Sequence, residues 1–493
     1  MNQTLPLGRA RTIAVLVLFV ATFMDLLDTT IVNVALPAIQ SDLDATGSQL
    51  EWIVSGYVLA FATVLITMGR LGDLYGRKRV FLIGVIGFTL ASAVATAAPS
   101  ADVLVISRFV QGFFAATMVP QVLSIVQVLY NPKDRAGVLG AFGAITGLAA
   151  VAGPLLSGVL VQHDIASLEW RSIFVINLPI GVLLSIGGWF LIPETKSPHR
   201  TGLDIPGAVL SSVALFLVTF ALIEGRPKDW AWWIWGLMAV SVVLFLVFIA
   251  YQRRVEAAEG TPLVPPSLFR DRGYTAGSFT SMALFGSIGA YFFVVTLYLQ
   301  LGLHFTPISS ALATLPFSIG AFVASGACVP LVDRLGKGLV TLGLTMFTGA
   351  VIWTAQSIHH HGDLLAKWDL IGPMALGGAG LAFSAIPLID VSLANTDVKH
   401  AGAASGVLGT FQQVGGALLL AIIGVVFFET VGTGLSTDQW RSGVLHGLLV
   451  PGIGLATGAL ASMLLPTVAA VRHHKEVAEQ AAEEEYEQEL GTL

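Results

Sequence analysis

The stretch Gly69–Arg79, GRLGDLYGRKR, lies between two long apolar segments and decides how the rest of the chain is oriented. Four of its eleven residues are basic, and short loops rich in Lys and Arg stay on the cytoplasmic side of a membrane. Gly76 permits a tight turn, and Asp73 can pair with Arg70 or Arg77. The loop is therefore predicted to face the cytoplasm, either as a plain positive loop or as a clasp between helices.

The composition is that of an integral membrane protein. Of 493 residues, 55% are hydrophobic and only 11% are charged, whereas about a quarter of a soluble chain is charged. A membrane crossing needs about 20 apolar residues, and the sequence holds fourteen such stretches. We therefore predict an all-α membrane protein with fourteen transmembrane helices and no sizeable soluble domain.

The distribution of basic residues predicts the orientation. If the N-terminus starts inside, 19 of the 25 Lys and Arg residues fall in cytoplasmic segments and five in outer loops. Both termini are therefore predicted to be cytoplasmic. The first apolar stretch runs on to Pro37 without a small-residue cleavage site, so it is not expected to be a signal peptide. The single cysteine, Cys328, cannot form an intrachain disulfide.

Three charged residues fall inside apolar segments. Asp25 and Asp28 lie three positions apart on one helix face, and each costs about 2.5 to 3.5 kcal/mol at mid-membrane, so both are expected to face a polar cavity. Arg108 either needs a partner there or extends outward to the interface. Because Asp28 and Arg108 fall at similar depths from the outer ends of their helices, we predict a charge pair across the cavity that exchanges a proton.

Several motifs resemble the major facilitator superfamily. The pattern Gly-x-Leu-x-Asp-x-x-Gly-Arg-Lys-Arg at 69–79 resembles its signature loop. LDTTIVNVALP at 27–37 and WIVSGYVLA at 52–60 resemble its fourteen-helix drug:proton antiporter-2 group. WRSIFVINLPIG at 170–181 resembles the same group except for Ser172, where tryptophan is usual.

Two further motifs bear on coupling and direction. Arg108, with Leu104, Gln111 and Gly112, resembles a helix 4 motif whose arginine is associated with proton transfer. The run GPLLSG at 153–158 resembles the motif that marks exporters, although serine replaces the first of its two final glycines. By itself the run is also compatible with a seam of small residues between helices.

The resemblance implies two six-helix halves with two extra central helices. DRLGK at 333–337 repeats DLYGR at 73–77 after 260 residues, as expected for parallel halves. We predict an N-terminal bundle at 1–200, the extra helices at 201–255 and a cytoplasmic linker at 256–272. A C-terminal bundle at 273–472 and an acidic cytoplasmic tail at 473–493 would follow.

Site residues are predicted in three groups. The proton-coupling residues are Asp28, Arg108 and Asp25, with Asp25 also contacting substrate. A lone tyrosine in a bundle is often simple packing, but Tyr57 is included because it lies in a group motif. The predicted substrate contacts are Asp25, Asn33, Tyr57, Gln121 and Gln412, and the predicted gating residues are Asp73, Gly76, Arg77, Arg79, Gly153 and Pro154.

Together these features predict a proton-driven exporter of lipophilic drugs or antibiotics, cationic or neutral, working by alternating access in the plasma membrane. It is expected to be a monomer that needs no metal or other cofactor, contacts membrane lipids and binds no nucleic acid. The alternatives are export of a lipid, siderophore or metabolite, an importer of the same fold, and a membrane enzyme. ATP-driven transport is not expected, because Gly336-Lys337 lacks the glycine five residues earlier that a phosphate-binding loop needs.

Overall fold

The structure, a computed structural model, describes residues 9–130, 132–163, 168–196, 202–393, 401–432 and 436–467. Within these ranges the regular structure is helical, as expected from long apolar runs that must satisfy every backbone group inside a membrane. The α-helices are α1 (Arg9–Leu43), α2 (Gly47–Tyr75), α3 (Arg77–Thr96), α4 (Ala101–Leu129), α5 (Pro132–Gln162), α6 (Ser172–Val175), α7 (Asn177–Leu191), α8 (Ile205–Gly225), α9 (Trp232–Ala257), α10 (Arg272–Leu297), α11 (Pro307–Leu335), α12 (Lys337–His361), α13 (Ile371–Leu393), α14 (Ala401–Val431), α15 (Thr437–Gly447) and α16 (Leu449–Ser462).

Thirteen described segments are long and apolar enough to cross a membrane. The short helix α6 continues into α7, and α15 continues into α16, so that each pair makes one of these segments. The 31-residue α5 is a further long helix, of which Ala152–Gln162 is apolar. The predicted all-α membrane fold is thus confirmed, and its helix count agrees with fourteen crossings.

The helices pack in two bundles with the same pattern. In the N-terminal bundle, made of α1 to α7, α4 packs between α2 and α3, and α1 packs on α5 and α7. In the C-terminal bundle, made of α10 to α16, α13 packs between α11 and α12, and α10 packs on α14 and α16. The motif repeat in the sequence therefore corresponds to equivalent turns, since Gly76 and Gly336 both adopt positive φ, at 118° and 51°. The side chain of Asp333 lies outside the described part.

The two bundles meet along α2 with α14 and along α5 with α11. At their outer ends, the side-chain amide of Gln300 donates to the Val34 carbonyl over 2.9 Å. The backbone N–H of Ile308 donates to Gln162 Oε1 over 3.3 Å. One continuous hydrophobic core joins the outer parts of both bundles. It includes Ile53 of α2 and Phe427 of α14. The outer side is therefore closed in this structure.

Helices α8 and α9 pack on each other, and α8 lies against α2 and α14. The outer surface of α9 is apolar and exposed, as expected for a face in contact with lipid. At the outer end, Trp52 Nε1 donates to Glu224 over 3.0 Å. The added pair therefore lies beside the seam between α2 and α14.

Asp204 anchors the inner end of the added pair. Its carboxylate caps α8 by accepting from Gly207 N over 2.9 Å. It also accepts from Gln252 Nε2 over 2.6 Å and from Leu263 N over 3.0 Å, so it ties α9 and the linker to α8. Arg70, near the inner end of α2, donates to the carbonyl oxygens of Gly202, Thr261 and Pro262. The predicted acidic tail at 473–493 lies outside the described residues, and the predicted domain boundaries stay predictions.

Candidate proton and substrate site

The site starts with two aspartates on α1. This helix is longer than the apolar stretch alone suggests, because it continues at both ends over polar residues, and Asp25 lies at its middle. Asp28 is fully buried and Asp25 is 5% exposed. Carboxylates in such positions need dedicated partners.

The partner of Asp28 is Arg108 of α4. Arg108 Nη1 lies 2.5 Å from Asp28 Oδ2, and both side chains are buried. Arg108 Nε donates to the Ile53 carbonyl over 3.0 Å, and Nη1 also donates to Gln111 Oε1 over 2.9 Å. The structure thus brings together the two charges that the sequence predicted to pair. The pair lies inside the N-terminal bundle, however, and not across a cavity between the bundles.

Neutral side chains complete the environment of Asp28. Its Oδ1 accepts from Asn177 Nδ2 over 2.8 Å and from Gln111 Nε2 over 3.3 Å. Gln111 also donates to Ser92 Oγ over 2.8 Å, and Asn177 lies 3.4 Å from the same hydroxyl. Four helices of the bundle beyond α1, namely α2, α3, α4 and α7, therefore supply groups to this network.

Asp25 is connected to the same network through Tyr57. The Tyr57 hydroxyl donates to Asp25 Oδ1, and the Arg108 guanidinium carbon lies 4.3 Å from the centre of the Tyr57 ring. Gly112 makes this packing possible, because a Cβ there would collide with the Tyr57 carbonyl. One arginine thus contacts one carboxylate directly and the other through an aromatic hydroxyl.

The remaining predicted substrate residues lie apart from this network. Gln121 is buried between α2 and α4, beside Gly72, and donates to the Met68 carbonyl over 2.9 Å. Asn33 is half-buried, and its Nδ2 donates to the Thr29 carbonyl over 3.5 Å. Gln412 is half-buried on α14, in the opposite bundle. The structure therefore joins only Asp25 and Tyr57 of the predicted substrate group.

Four of the predicted gating residues, Asp73, Gly76, Arg77 and Arg79, lie at the junction of α2 and α3. Arg77 donates to Asp73 Oδ1 from Nη2 over 2.7 Å and from Nε over 2.9 Å. Its Nη1 also reaches the Ser124 carbonyl of α4 over 3.3 Å. Glu194, after α7, accepts from the backbone of Lys78 over 3.1 Å and lies 3.5 Å from exposed Arg79. The turn thus clasps α2, α4 and the end of α7 together.

The run GPLLSG at 153–158 of α5 contacts one helix in each bundle. A Cβ on Gly153 would collide with Thr30 Oγ1 of α1, so this glycine allows close packing within the N-terminal bundle. A Cβ on Gly158 would lie 3.0 Å from Ile308 Cα of α11, in the other bundle. Half-buried Pro154 lies between them, inside the helix. The run therefore contributes both to bundle packing and to the contact between bundles.

A largely apolar cavity of about 470 Å³ lies beside α2, toward the inner ends of the helices. It is enclosed by α2, α8, α9, the linker and α14. Its polar lining includes Thr63, Ser211 and Thr410, and Arg253 lies at its edge. The cavity can hold a lipophilic molecule, and the two added helices form one of its walls.

A family model described as Major Facilitator Superfamily matches residues 18–420. The chain belongs to the major facilitator superfamily. This membership agrees with the resemblance of the inner loop and with the paired bundles. It also places the chain among transporter relatives.

Superfamily relatives with curated descriptions cover most of the chain. A probable actinorhodin transporter of Streptomyces coelicolor is 38% identical over 84% of this chain and 72% of its own length. A tetracenomycin C resistance and export protein of Streptomyces glaucescens is 32% identical over 85% and 76%. A puromycin resistance protein of Streptomyces alboniger is 30% identical over 91% and 90%.

Solved structures share the superfamily fold at low sequence identity. A bacterial homologue of the human lysosomal transporter Spinster, inward-facing and unoccupied, matches with a TM-score of 0.65 at 15% identity, covering 96% of this chain and 99% of that one. An auto-inhibited peptide transporter of the POT family matches with a TM-score of 0.65 at 17% identity, covering 95% and 97%. These two similarities support the fold alone.

Several buried polar residues in and near this site were not among those predicted from the sequence. Asn177 and Gln111 were visible within motifs, and their amides in apolar runs were a usable signal for a buried polar network. Ser92 lies among small residues and gave no such signal. Glu51 directly precedes Trp52 near a helix start, where an acidic residue is ordinary, yet the structure buries it.

Proposed function

We propose that this chain exports lipophilic, antibiotic-like small molecules in exchange for protons, by alternating access between its two bundles. The observation that carries the proposal is the buried pair of Asp28 and Arg108, because an ionisable pair inside a membrane protein marks an ion pathway. The names of the relatives, which include transport or export of actinorhodin and tetracenomycin C, support the substrate class. The proposal includes a monomer in the cell membrane with both termini cytoplasmic.

The contacts suggest how exchange works. A proton on Asp28 would cancel the charge that holds Arg108, whose guanidinium already lies over Tyr57. Arg108 would then act mainly on Asp25, which the Tyr57 hydroxyl contacts. A cationic substrate near Asp25 would compete for the same negative charge. Binding of substrate and binding of proton would therefore oppose each other without a separate coupling device.

The proton gradient is large enough for this task. A proton moving down about 100 mV and about half a pH unit releases about 3 kcal/mol, from about 2.3 per 100 mV and about 1.4 per pH unit. That free energy supports a substrate gradient of about two orders of magnitude. No nucleotide is needed for export of this kind.

The test is transport by purified protein in liposomes with an imposed pH gradient, using actinorhodin, tetracenomycin C and puromycin as first compounds. We expect substrate to accumulate on the acidic side and to stop accumulating when a protonophore collapses the gradient. Passive equilibration would indicate a facilitator, and accumulation on the opposite side would indicate an importer. Either result would contradict the proposal, as would chemical conversion of the compound.

The inner cavity offers a second test, of the substrate route. Val414→Trp on α14 would fill part of the cavity of about 470 Å³, and we expect severalfold slower export of bulky compounds with unchanged folding. Val243→Trp on the exposed face of α9 is the matched control, because that position faces lipid. Equal export rates in both variants would show that the substrate does not pass through the cavity.

A further inference from the structure

Glu51 is an acidic side chain buried in the seam between the bundles, near the outer end of α2. It is 2% exposed, and its Oε2 has no hydrogen-bond partner among the described residues. Its carboxyl group lies directly against Gly424 of α14, where an added Cβ would collide with it. The side chain thus occupies the contact between the two bundles and takes no part in the network around Asp28.

The surroundings of Glu51 do not neutralise a full negative charge. On α14 the residue directly against Glu51 is Gly424, which does not ionise. Beyond α8, Arg226 lies over the Phe428 ring at 5.3 Å, and no ion pair joins it to Glu51 within the described part. Glu224, the other charge that acts on Glu51, is itself held by Trp52 and by Lys228 at 2.7 Å. Burial of an ionised carboxylate here is therefore costly.

Alternating access requires this seam to open. The outer ends now share one hydrophobic core that includes Ile53 of α2 and Phe428 of α14. When the cavity faces outward, these ends must separate, and water would reach Glu51. A carboxylate that is costly in the closed seam is then readily hydrated.

We propose that Glu51 is a proton-binding latch of the outer seam, which closes with Glu51 protonated and opens with Glu51 ionised. Closing takes one proton from the outer solution onto the carboxylate, and reopening returns that proton to the same side. Glu51 thus makes the return to the inward-facing state depend on outer pH without adding a transported proton. This inference rests on the proposed proton-coupled export.

The test measures the distance between spin labels at the outer ends of the bundles, at Ser41→Cys and His360→Cys, in a Cys328→Ser background. Both label sites are exposed. In lipid nanodiscs, the ratio of open to closed outer ends should rise about tenfold per pH unit once one proton separates the two states. Glu51→Gln, which keeps the shape but cannot ionise, should hold a constant ratio that favours the closed ends across the same range.

Two further variants test whether the response belongs to Glu51. Glu224→Gln changes a neighbouring carboxylate that is already paired, and it should retain the tenfold response per pH unit. Gly424→Ala, which forces a methyl group against Glu51, should shift the ends toward the open state at every pH. A pH response in Glu51→Gln equal to that of the parent, or a parent without any response, would overturn the latch.

The latch and the proposed function can fail separately. Glu51→Gln should keep the ratio of protons to substrate of the parent, and at a constant pH gradient its export rate should depend less steeply on outer pH. If Glu51→Gln behaved as the parent while the imposed gradient still drove export, the latch alone would be wrong. If no gradient-driven export occurred in the parent, the proposed function would be wrong, whatever the labels showed.

Discussion

A buried ion pair is weak evidence for stability, because desolvation of two charges offsets most of their attraction. In this chain the pair of Asp28 and Arg108 is retained with additional donors from Asn177 and Gln111. Replacing both charges by neutral groups should reduce the free energy of unfolding less than replacing only one of them. The arrangement is therefore better explained by proton exchange than by stability.

The single variant Asp28→Asn should be severely affected, because it leaves the Arg108 guanidinium buried without its counter-charge. We expect a loss of about 3 to 5 kcal/mol in stability and the loss of gradient-driven export. Thermal unfolding of the purified protein and export from liposomes measure the two effects. Substrate binding should remain detectable, because Asp25 and Tyr57 keep their contact.

A matched control is the partly exposed pair of Asp42 and Arg171, which is 2.7 Å apart. Asp42→Asn should cost no more than about 1 kcal/mol and leave export unchanged. The double variant Asp28→Asn with Arg108→Gln should be more stable than Asp28→Asn alone. If it were less stable, the buried charge would not be the cause of the loss.

The pairing of Asp28 with Arg108 could be predicted because isolated charges are not tolerated in a membrane, and helical rise gives their depth. Their location inside one bundle could not, since depth says nothing of which helices are neighbours. The position of Gln121 could not be predicted for the same reason, because packing of α4 on α2 turns its amide toward Met68. The burial of Glu51 depends on the contact of α2 with α14, which joins residues some 370 positions apart.

At the scale of elements, the turn between α2 and α3 was the most predictable feature. A glycine before three basic residues indicated a tight turn, and Gly76 indeed has a φ of 118°. Its acceptor partner Glu194 was not predictable, because it arrives from the end of α7. The turn itself is therefore predictable from the sequence, but the side chain that it contacts is not.

Gly76→Ala should reduce both stability and export. Alanine is strained at this φ by about 1 to 3 kcal/mol, and its Cβ would collide with the Glu194 carboxylate. Gly432→Ala is the control for backbone strain alone, because its φ is 59° and nothing lies within 4 Å of an added Cβ. Equal losses of melting temperature in the two variants would mean that the contact with Glu194 has no role.

The inner anchor at Asp204 makes a prediction about pH. Burial raises the pKa of this carboxyl, but donors from Gln252, Gly207, Leu263 and Tyr251 outweigh it and hold the pKa below its ordinary 3.8. The stabilisation is therefore complete above about pH 4 and is lost as the pH falls toward the lowered value. Thermal unfolding of the parent should show this loss on acidification.

Asp204→Asn should remove that part of the acid sensitivity, because the amide cannot ionise. It should also loosen the linker, which limited proteolysis near Thr261 would detect at neutral pH. An unchanged acid profile in Asp204→Asn would show that other carboxylates set the response.

For the whole molecule, contact between α5 and α11 sets how closely the outer ends approach. Gly158→Val should favour the outward-open state severalfold, because its side chain would meet backbone atoms of Ile308 and Pro307. The same label pair, at Ser41→Cys and His360→Cys, measures this shift. Gly236→Val on α9 is the control, since nothing lies within 4 Å of a Cβ there. Closed outer ends in both variants would contradict the prediction.

The polar network around Asp28 draws all of its members from α1, α2, α3, α4 and α7, whereas the inner cavity is lined mostly by α8, α9, the linker and α14. Energy input and most of the cavity lining thus belong to different parts of the gene product. Selection for resistance to a new compound can alter the cavity lining while the coupling groups stay untouched. Gain-of-resistance substitutions should therefore accumulate in 202–269 and 401–432, and loss-of-function substitutions in 9–196.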